Sequence, residues 1–217
     1  MSTQTDFDSI IFDMDGTLWD AVDSYCAIWN ESFRRMGIER RVSRDELLSM
    51  MGKPLDVIAS HICHGIDMDT ERFCSILRKV DTELMPQLGG TLYSHVAEDL
   101  KALSKRYRLF MVSNCGPDGL RMFLDYTGLR PYFTDTLTHG ETSLPKEDNI
   151  SLLIDRHGLE RPVYVGDIQG DADSTHRAGL PFIWAAYGFG TVSDAEYRID
   201  CFHDLIEKIL NKDQTTR

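Results

Sequence analysis

Two aspartates directly after a short apolar segment are the residues of this chain best suited to chemistry. Ser9 to Phe12 form a run that predicts a buried strand, and Asp13 and Asp15 follow it one residue apart. Strand alternation predicts that both carboxylates point to the same side, where two like charges repel unless a positive charge lies beside them. A divalent cation with oxygen ligands supplies that charge, and Mg²⁺ also recruits the oxygens of a substrate phosphate. The pattern therefore predicts a magnesium site at the end of a strand.

The segment Asp13-Met14-Asp15-Gly16-Thr17 has two interpretations. An Asp-x-Asp-Gly run is also an ordinary polar turn, because Asp and Gly favour turns for backbone reasons alone. The run nevertheless resembles the first motif of the haloacid dehalogenase superfamily. The resemblance implies that Asp13 is a nucleophile and that Asp15 is a general acid and base.

Polar residues also follow a second predicted strand, Arg108 to Val112. Ser113 and Asn114 carry a hydroxyl and an amide, which are groups that hydrogen-bond phosphoryl oxygens. A Ser-Asn pair after a strand is by itself usually a turn. Residues 112–114 resemble the second motif of the superfamily, which implies that Ser113 holds the transferring phosphoryl group and that Asn114 assists in binding it.

Lys146 is the third candidate. A lone lysine at the start of a helix is more often a solvated surface residue. Here it lies between a short predicted strand and a predicted helix, after residues 138–142, in a context that resembles the third motif. The resemblance implies that its ammonium neutralises charge on the nucleophile and the phosphoryl group. The common pattern has proline directly after this lysine, whereas here Glu147 follows and Pro145 precedes it.

A further apolar strand over residues 162–165 ends at Gly166-Asp167, and Asp171 follows four residues after Asp167. This spacing is similar to the fourth motif of the superfamily. The resemblance implies that Asp167 binds Mg²⁺ directly and that Asp171 is a further ligand or supports one. The predicted metal ligands are therefore Asp13, Asp15, Asp167 and Asp171.

Strands that alternate with helices predict a parallel sheet covered by helices on both faces. The ligand site of such a sheet lies beyond the carboxyl ends of its strands, where each motif falls. Residues 18–86 show helical periodicity and no strand pattern, and this block resembles the small helical cap of the superfamily. We predict an α/β fold with a Rossmann-like catalytic core over residues 1–17 and 87–217 and an inserted all-helical cap over residues 18–86. Residues 91–106 are predicted to form one amphipathic helix.

A Gly52-Lys53-Pro54 break separates two predicted cap helices. The break resembles the loop that meets the substrate in related phosphatases, so Lys53 is a candidate substrate-binding residue, with a solvated role equally open. His61 and His64 have helical spacing but no cysteine or carboxylate companion. They are therefore predicted to be surface or packing residues rather than metal ligands.

The composition narrows the possible partners. A formal net charge of −12 argues against nucleic acid, since phosphate backbones bind basic surfaces. The sequence has no apolar run long enough to cross a bilayer and no secretory signal at its start. Its five cysteines are scattered and fit reduced thiols. We predict a cytoplasmic monomer or weak homodimer with no membrane partner.

The motifs together resemble the branch of the superfamily that contains phosphoglycolate phosphatases and β-phosphoglucomutases. The resemblance implies a Mg²⁺-dependent phosphatase that hydrolyses a small phosphorylated metabolite, phosphoglycolate-like or sugar-phosphate-like, through an aspartyl-phosphate. The alternatives are a phosphomutase with the same site, a phosphonatase with a Schiff-base lysine in its cap, and a non-catalytic binding protein. Asp15 argues against a dehalogenase, because a halide leaves without a proton.

Overall fold

The computed structural model describes residues 7–209 of the chain, and the polar tail over 211–217, predicted to fray, lies outside them. The strands are β1 (Ser9–Phe12), β2 (Trp19–Asp20), β3 (Thr91–Leu92), β4 (Arg108–Ser113), β5 (Asp135–Thr138), β6 (Pro162–Gly166), β7 (Phe182–Ala185) and β8 (Tyr197–Ile199). The helices are α1 (Val22–Arg35), α2 (Arg44–Leu48), α3 (Leu55–Ile62), α4 (Thr70–Leu88), α5 (Val96–Leu103), α6 (Gly119–Thr127), α7 (His139–Thr142), α8 (Lys146–His157), α9 (Gln169–Arg177) and α10 (Asp204–Ile209).

Six of the described strands form one parallel sheet in the order β5-β4-β1-β6-β7-β8. The central strand β1 is covered on both faces, so Ile10, Ile11 and Phe12 are all fully buried. Ile10 and Phe12 belong to the larger apolar cluster, whereas Ile11 belongs to a second cluster on the opposite face of the sheet. The predicted α/β fold with helices on both faces is confirmed. Strand β8 was not predicted, because three residues carry no usable periodicity.

Helices α1 to α4 occupy most of the block predicted to be the cap. Helix α1 packs against α4, and aromatic rings fill the space between them. The ring centroids of Phe33 and Phe73 lie 4.5 Å apart, and those of Trp29 and Phe73 lie 5.4 Å apart. The apolar positions that recur along α1 therefore build the interior of the cap.

The connection between cap and core differs from the sequence prediction in two ways. Strands β2 and β3 form an antiparallel pair, so the predicted cap block contains a strand and residues 91–106 are not one helix. Two-residue strands have no periodicity, and their pairing joins segments that are distant in sequence. Helix α4 also continues through Pro86 to Leu88, where Gly89 at φ +60° ends it.

The register of the sheet brings the four motifs to one edge. Phe12 pairs with Met111 on one side and with Val165 on the other, and Ser113 pairs with Thr138. The segments that follow these four strands therefore leave the sheet side by side.

Within residues 7–209, no helix combines the length and the apolar character needed to cross a membrane. All five cysteines lie in this range and are free thiols. The predicted cytoplasmic location and the predicted monomeric or weakly dimeric state stay predictions.

Candidate active site

Asp13 and Lys146 form a buried ion pair at the end of the central strand. The Asp13 amide donates to the Val165 carbonyl at 2.9 Å, which fixes the backbone where β1 ends. Lys146 Nζ lies 2.8 Å from Asp13 Oδ1 and 2.6 Å from Asp171 Oδ1. Burial opposes the charge on Lys146, but Asp13 and Asp171 outweigh this effect and hold its pKa well above the usual value. The lysine is therefore a fixed cation between two carboxylates, despite the unusual residues on either side of it in sequence.

Three of the predicted metal ligands meet. Asp13, Asp167 and Asp171 each offer a carboxylate oxygen, and these oxygens lie within 4.8 Å of one another. Asp167 accepts hydrogen bonds from Thr17 Oγ1 at 3.3 Å and from the Phe189 amide at 2.8 Å. Burial, with Asp171 and Asp13 adding to it, raises the pKa of Asp167 well above the usual value.

This set of donors fits Mg²⁺. Lys146 is the only lysine or arginine that pairs with the three carboxylates among the described residues, so fully ionised carboxylates exceed it by two negative charges. A divalent cation balances that excess, and a donor set made only of oxygens is the type that Mg²⁺ prefers. Burial raises the pKa of Asp13 to about 6, with Lys146 opposing and Asp171 adding, and a further cation beside Asp13 would favour its ionised form.

Asp171 has a second function within this group. Its Oδ2 accepts from the backbone amides of Asp167 at 3.1 Å and Ile168 at 3.3 Å, which secures the turn at the start of α9. Its Oδ1 faces Lys146. The same carboxylate therefore orients both the loop that carries Asp167 and the lysine.

The Asp15 side chain lies apart from the three grouped carboxylates, and its predicted role as a metal ligand stays a prediction. Its Oδ1 accepts from Trp19 Nε1 at 2.9 Å and from the Tyr25 hydroxyl at 3.1 Å, both on the cap side. The prediction extended strand alternation to residue 15, but β1 ends at Phe12 and alternation ends with it. Burial and the neighbouring Asp13 raise the pKa of Asp15 to about 7, although the bonds from Tyr25 and Trp19 oppose this. Burial and the Asp13 charge therefore make Asp15 easier to protonate than an ordinary aspartate.

Gly16 allows the aspartate loop to lie against Asp167. Its φ of +84° lies in the left-handed region that side chains resist. A Cβ at this position would lie 2.0 Å from Asp167 Oδ2. Glycine is thus required both by the turn and by the close approach of the Asp167 carboxylate.

The two polar residues of the second motif, Ser113 and Asn114, contact different parts of the protein. Ser113 is buried, lines the same cavity as Asp13, and accepts from the Cys115 amide at 3.4 Å. Asn114 Nδ2 instead donates to the Gly52 carbonyl of the cap at 2.8 Å. The phosphate-binding role of Asn114 stays a prediction, because its side-chain NH2 has two N–H donors and the bond to the cap loop uses one of them.

Lys53 lies at the rim of this cavity and is exposed. Its Nζ is 3.7 Å from Met50 Sδ, and it forms no ion pair within residues 7–209. His61 and His64 are exposed, as predicted for surface residues. The structure thus places Lys53 near the site without giving it a fixed partner.

The sequence did not predict which residues orient the Asp15 and Asp167 carboxylates. Tyr25 falls on the apolar positions of the helical pattern and Trp19 lies beside the predicted cap boundary, so the sequence pattern favours packing roles for both. Trp19 does pack on Phe123, with ring centroids 4.9 Å apart, but its indole also binds Asp15. Thr17 belongs to the first motif, so its position was a signal, whereas the Phe189 amide carried none.

A parallel sheet with a buried, carboxylate-rich site at the end of its central strand, under a helical cap, defines a capped α/β enzyme. The chain belongs to the haloacid dehalogenase-like hydrolase family, whose profile matches residues 10–185. The resemblance predicted from the motifs is thereby confirmed.

Similar proteins cover nearly the whole chain. A phosphoglycolate phosphatase of Aliivibrio fischeri is 27% identical over 209 residues, which is 88% of this chain and 90% of the relative. The pyrophosphatase PpaX of Bacillus velezensis is also 27% identical, over 91% of this chain and 94% of the relative. The crystal structure of a predicted phosphoglycolate phosphatase from Haemophilus somnus superposes with a TM-score of 0.82 at 23% identity, covering 96% of this chain and 99% of that one. This last likeness shows the fold.

Proposed function

We propose that this protein is a phosphatase that hydrolyses small phosphate monoesters, with Asp13 as the nucleophile. The observation that carries the proposal is the position of the Asp13 carboxylate, buried in a cavity, paired with Lys146 and grouped with two further aspartates. The relatives named above, a phosphoglycolate phosphatase and a pyrophosphatase, also act on phosphate groups, which supports this class of substrate. Their names make phosphoglycolate a natural first compound to test.

Asp13 attacks the phosphorus of the ester. A bond forms between a carboxylate oxygen and phosphorus, the bond between phosphorus and the alcohol oxygen breaks, and an aspartyl-phosphate remains. Water then attacks this phosphorus, so that inorganic phosphate leaves and the carboxylate is restored. Lys146 keeps the carboxylate ionised for the first step, because its ammonium stabilises the charged form.

Asp15 moves the protons of both steps. In the first step it gives its proton to the departing alcohol, and in the second it takes a proton from the attacking water. A pKa of about 7 suits both directions near neutral pH. The bonds from Trp19 and Tyr25 hold the carboxyl on the cap side, where the alcohol leaves.

Lys146 and the Ser113 hydroxyl surround the place where the phosphoryl group must lie. Positioned donors and charges of this kind supply most of the rate enhancement in phosphoryl transfer. Asp13, Asp167 and Asp171 would hold Mg²⁺, which when bound supplies charge neutralisation for the phosphoryl oxygens. Asp171 meanwhile keeps Lys146 directed at the nucleophile.

The metal requirement and the nucleophile are tested together with 4-nitrophenyl phosphate. We expect phosphate release that stops in a chelator, returns with Mg²⁺ and does not return with Ca²⁺, whose larger and looser shell spoils in-line geometry. Asp13→Asn should stop turnover, whereas Asp173→Asn, an exposed carboxylate on α9, should not. Full activity in chelator or in Asp13→Asn would overturn the proposal.

A phosphomutase of the β-phosphoglucomutase type would use the same site. The two reactions separate when β-glucose 1-phosphate is incubated with the protein and a bisphosphate primer, and inorganic phosphate and glucose 6-phosphate are assayed. We expect phosphate as the product. Rapid formation of glucose 6-phosphate with little free phosphate would establish the mutase instead.

A further inference from the structure

The active-site cavity extends from the catalytic aspartates deep into the cap. It has a volume of about 170 Å³ and is bounded at one end by Asp13, Asp15 and Ser113. All four cap helices line its other side, and their buried lining residues are apolar: Ile28, Trp29, Leu47, Ile58, Leu77 and Met85. Helix α4 also adds the polar residues Arg78, Asp81 and Thr82. An apolar cavity of about 150 Å³ accommodates a benzene ring. The space beyond the nucleophile therefore suits a ring-sized, apolar leaving group rather than a two-carbon acid.

One carboxylate interrupts this apolar wall. Asp81 lies on α4 four residues after Leu77 and four before Met85, which puts all three on one face of the helix. Leu77 and Met85 are each only 3% exposed, and Asp81 is half-buried between them. Asp81 forms no hydrogen bond or ion pair with any residue in the range 7–209. An acid on a buried helix face without a partner is costly for the protein alone.

Asp81 lines the same cavity as Asp13, Asp15 and Tyr25. Burial, Asp15 and Asp81 together raise the pKa of Tyr25 well above its usual value, so the Asp81 charge acts on the hydroxyl that binds Asp15. Burial and the nearby Asp118 raise the pKa of Asp81 itself to about 6, which leaves it charged in mildly alkaline solution. Asp118 has its own partner, because Arg121 lies 2.7 Å from it.

The cations of the cavity do not neutralise Asp81. Lys53 and Arg78 also line the cavity, but both are exposed and neither pairs with a carboxylate among the described residues. Water satisfies an exposed ammonium or guanidinium, whereas it reaches a half-buried carboxylate only in part. The group that still needs a partner is therefore the acid and not the bases.

We propose that this cavity binds the leaving group of the substrate and that Asp81 binds an amine on that group. The preferred substrates would be phosphate monoesters of apolar alcohols that carry a primary ammonium. The inference rests on the proposed phosphatase function, and it deepens that function by naming the chemical class of the alcohol. A carboxylate such as that of phosphoglycolate would meet Asp81 with a like charge.

Three matched esters test the inference: benzyl phosphate, 4-(aminomethyl)benzyl phosphate and 4-carboxybenzyl phosphate. They share one ring and one alkyl leaving oxygen, and differ in charge at the far end. We expect kcat/KM with Mg²⁺ at about pH 8 to be at least about tenfold higher for the ammonium ester than for the carboxylate ester, the size of one charged hydrogen bond. The kcat/KM for phosphoglycolate should be similarly low to that for the carboxylate ester.

Asp81→Asn keeps the shape of the side chain and removes its charge, so the ratio between the ammonium and carboxylate esters should fall towards one. The matched control is Glu83→Gln, an exposed carboxylate on the same helix that pairs with Arg35. This control should preserve the ratio. A second measurement uses the wild-type protein alone: 4-(aminomethyl)benzyl alcohol should inhibit hydrolysis of 4-nitrophenyl phosphate more strongly than 4-(hydroxymethyl)benzoate does. That comparison decides the question if Asp81→Asn does not fold.

The outcomes separate the two proposals. If the wild-type protein hydrolyses neither 4-nitrophenyl phosphate nor any of the esters, the phosphatase function itself is wrong. If it hydrolyses 4-nitrophenyl phosphate but prefers the carboxylate ester or phosphoglycolate, only the amine inference is overturned. An unchanged ratio in folded Asp81→Asn, or equal inhibition by the two alcohols, overturns it as well.

Discussion

Replacing Lys146 by methionine should destabilise the protein in a way that depends strongly on pH. Lys146 is 3% exposed, and its ammonium is the partner of both Asp13 and Asp171. Methionine fills a similar volume but leaves buried carboxylates without a cation. Breaking a buried ion pair from one side costs about 3–5 kcal/mol of unfolding free energy.

The direction of the pH effect follows from the carboxylates. Burial raises the pKa of Asp13 to about 6, and raises that of Asp167 well above the ordinary value of 3.8. The stability linked to a raised carboxyl pKa is present at low pH and is lost as the pH rises through the folded-state value. Because Lys146 lowers the pKa of both groups, its removal raises them further. The penalty of Lys146→Met should therefore be largest in alkaline solution and smallest below the pKa of Asp13.

Urea unfolding of both proteins in chelator at about pH 5 and about pH 8 measures this penalty. We expect the full loss of about 3–5 kcal/mol at the higher pH, a clearly smaller loss at the lower pH, and partial recovery with Mg²⁺. The control is Lys53→Met, an exposed lysine whose loss should change stability by about 0.5 kcal/mol or less. Equal destabilisation at both pH values would refute the assignment of Lys146 as the buried counter-charge.

Three further predictions concern single contacts of the site. Tyr25→Phe removes a hydrogen bond that lowers the pKa of Asp15, so the alkaline limb of kcat for alkyl phosphates should move up by about one pH unit. A kcat–pH profile measures this shift. Gly16→Ala places a Cβ 2.0 Å from Asp167 Oδ2, so Mg²⁺ should bind about 10- to 100-fold more weakly, as isothermal titration would show. Asn114→Ala removes the hydrogen bond to the Gly52 carbonyl, so the free energy of local opening of the 50–54 loop should fall by about 1 kcal/mol. Faster amide hydrogen exchange in this loop would show the change.

Matched variants identify what would contradict each expectation. Gly128→Ala shares the positive φ of Gly16, at +70°, but no atom lies within 4 Å of its added Cβ, so it should reduce stability and leave Mg²⁺ binding intact. Equal Mg²⁺ affinities in the two glycine variants would count against the collision with Asp167. Tyr126→Phe, an exposed tyrosine, should leave the pH profile unchanged. A downward shift in Tyr25→Phe, or unchanged exchange in Asn114→Ala, would remove the role given to that contact.

Much of the fold follows from local sequence. Strand β1 begins and ends at its predicted residues, and β4 and β6 begin where predicted and end one residue later, because each is an apolar run with a clear boundary. Elements without enough residues for a period were missed: the two-residue pair β2 and β3, the three-residue β8 and the single-turn α7. Their stability comes from pairing and packing between distant segments, which no local window records.

The candidate site shows the same difference between features set by local sequence and features set by contacts between distant segments. The order of residues along the chain sets which carboxylates and which lysine follow the strand ends, and a parallel sheet brings those ends together whatever the details of the loops. The direction in which each side chain points depends on contacts between distant segments. Asp15 binds Trp19 and Tyr25 rather than the three grouped carboxylates, Asn114 binds the Gly52 carbonyl, and Asp81 has no partner within residues 7–209. The physical reason is that motif spacing sets the position of a Cα atom along the chain, whereas hydrogen-bond partners and burial arise from contacts across the fold.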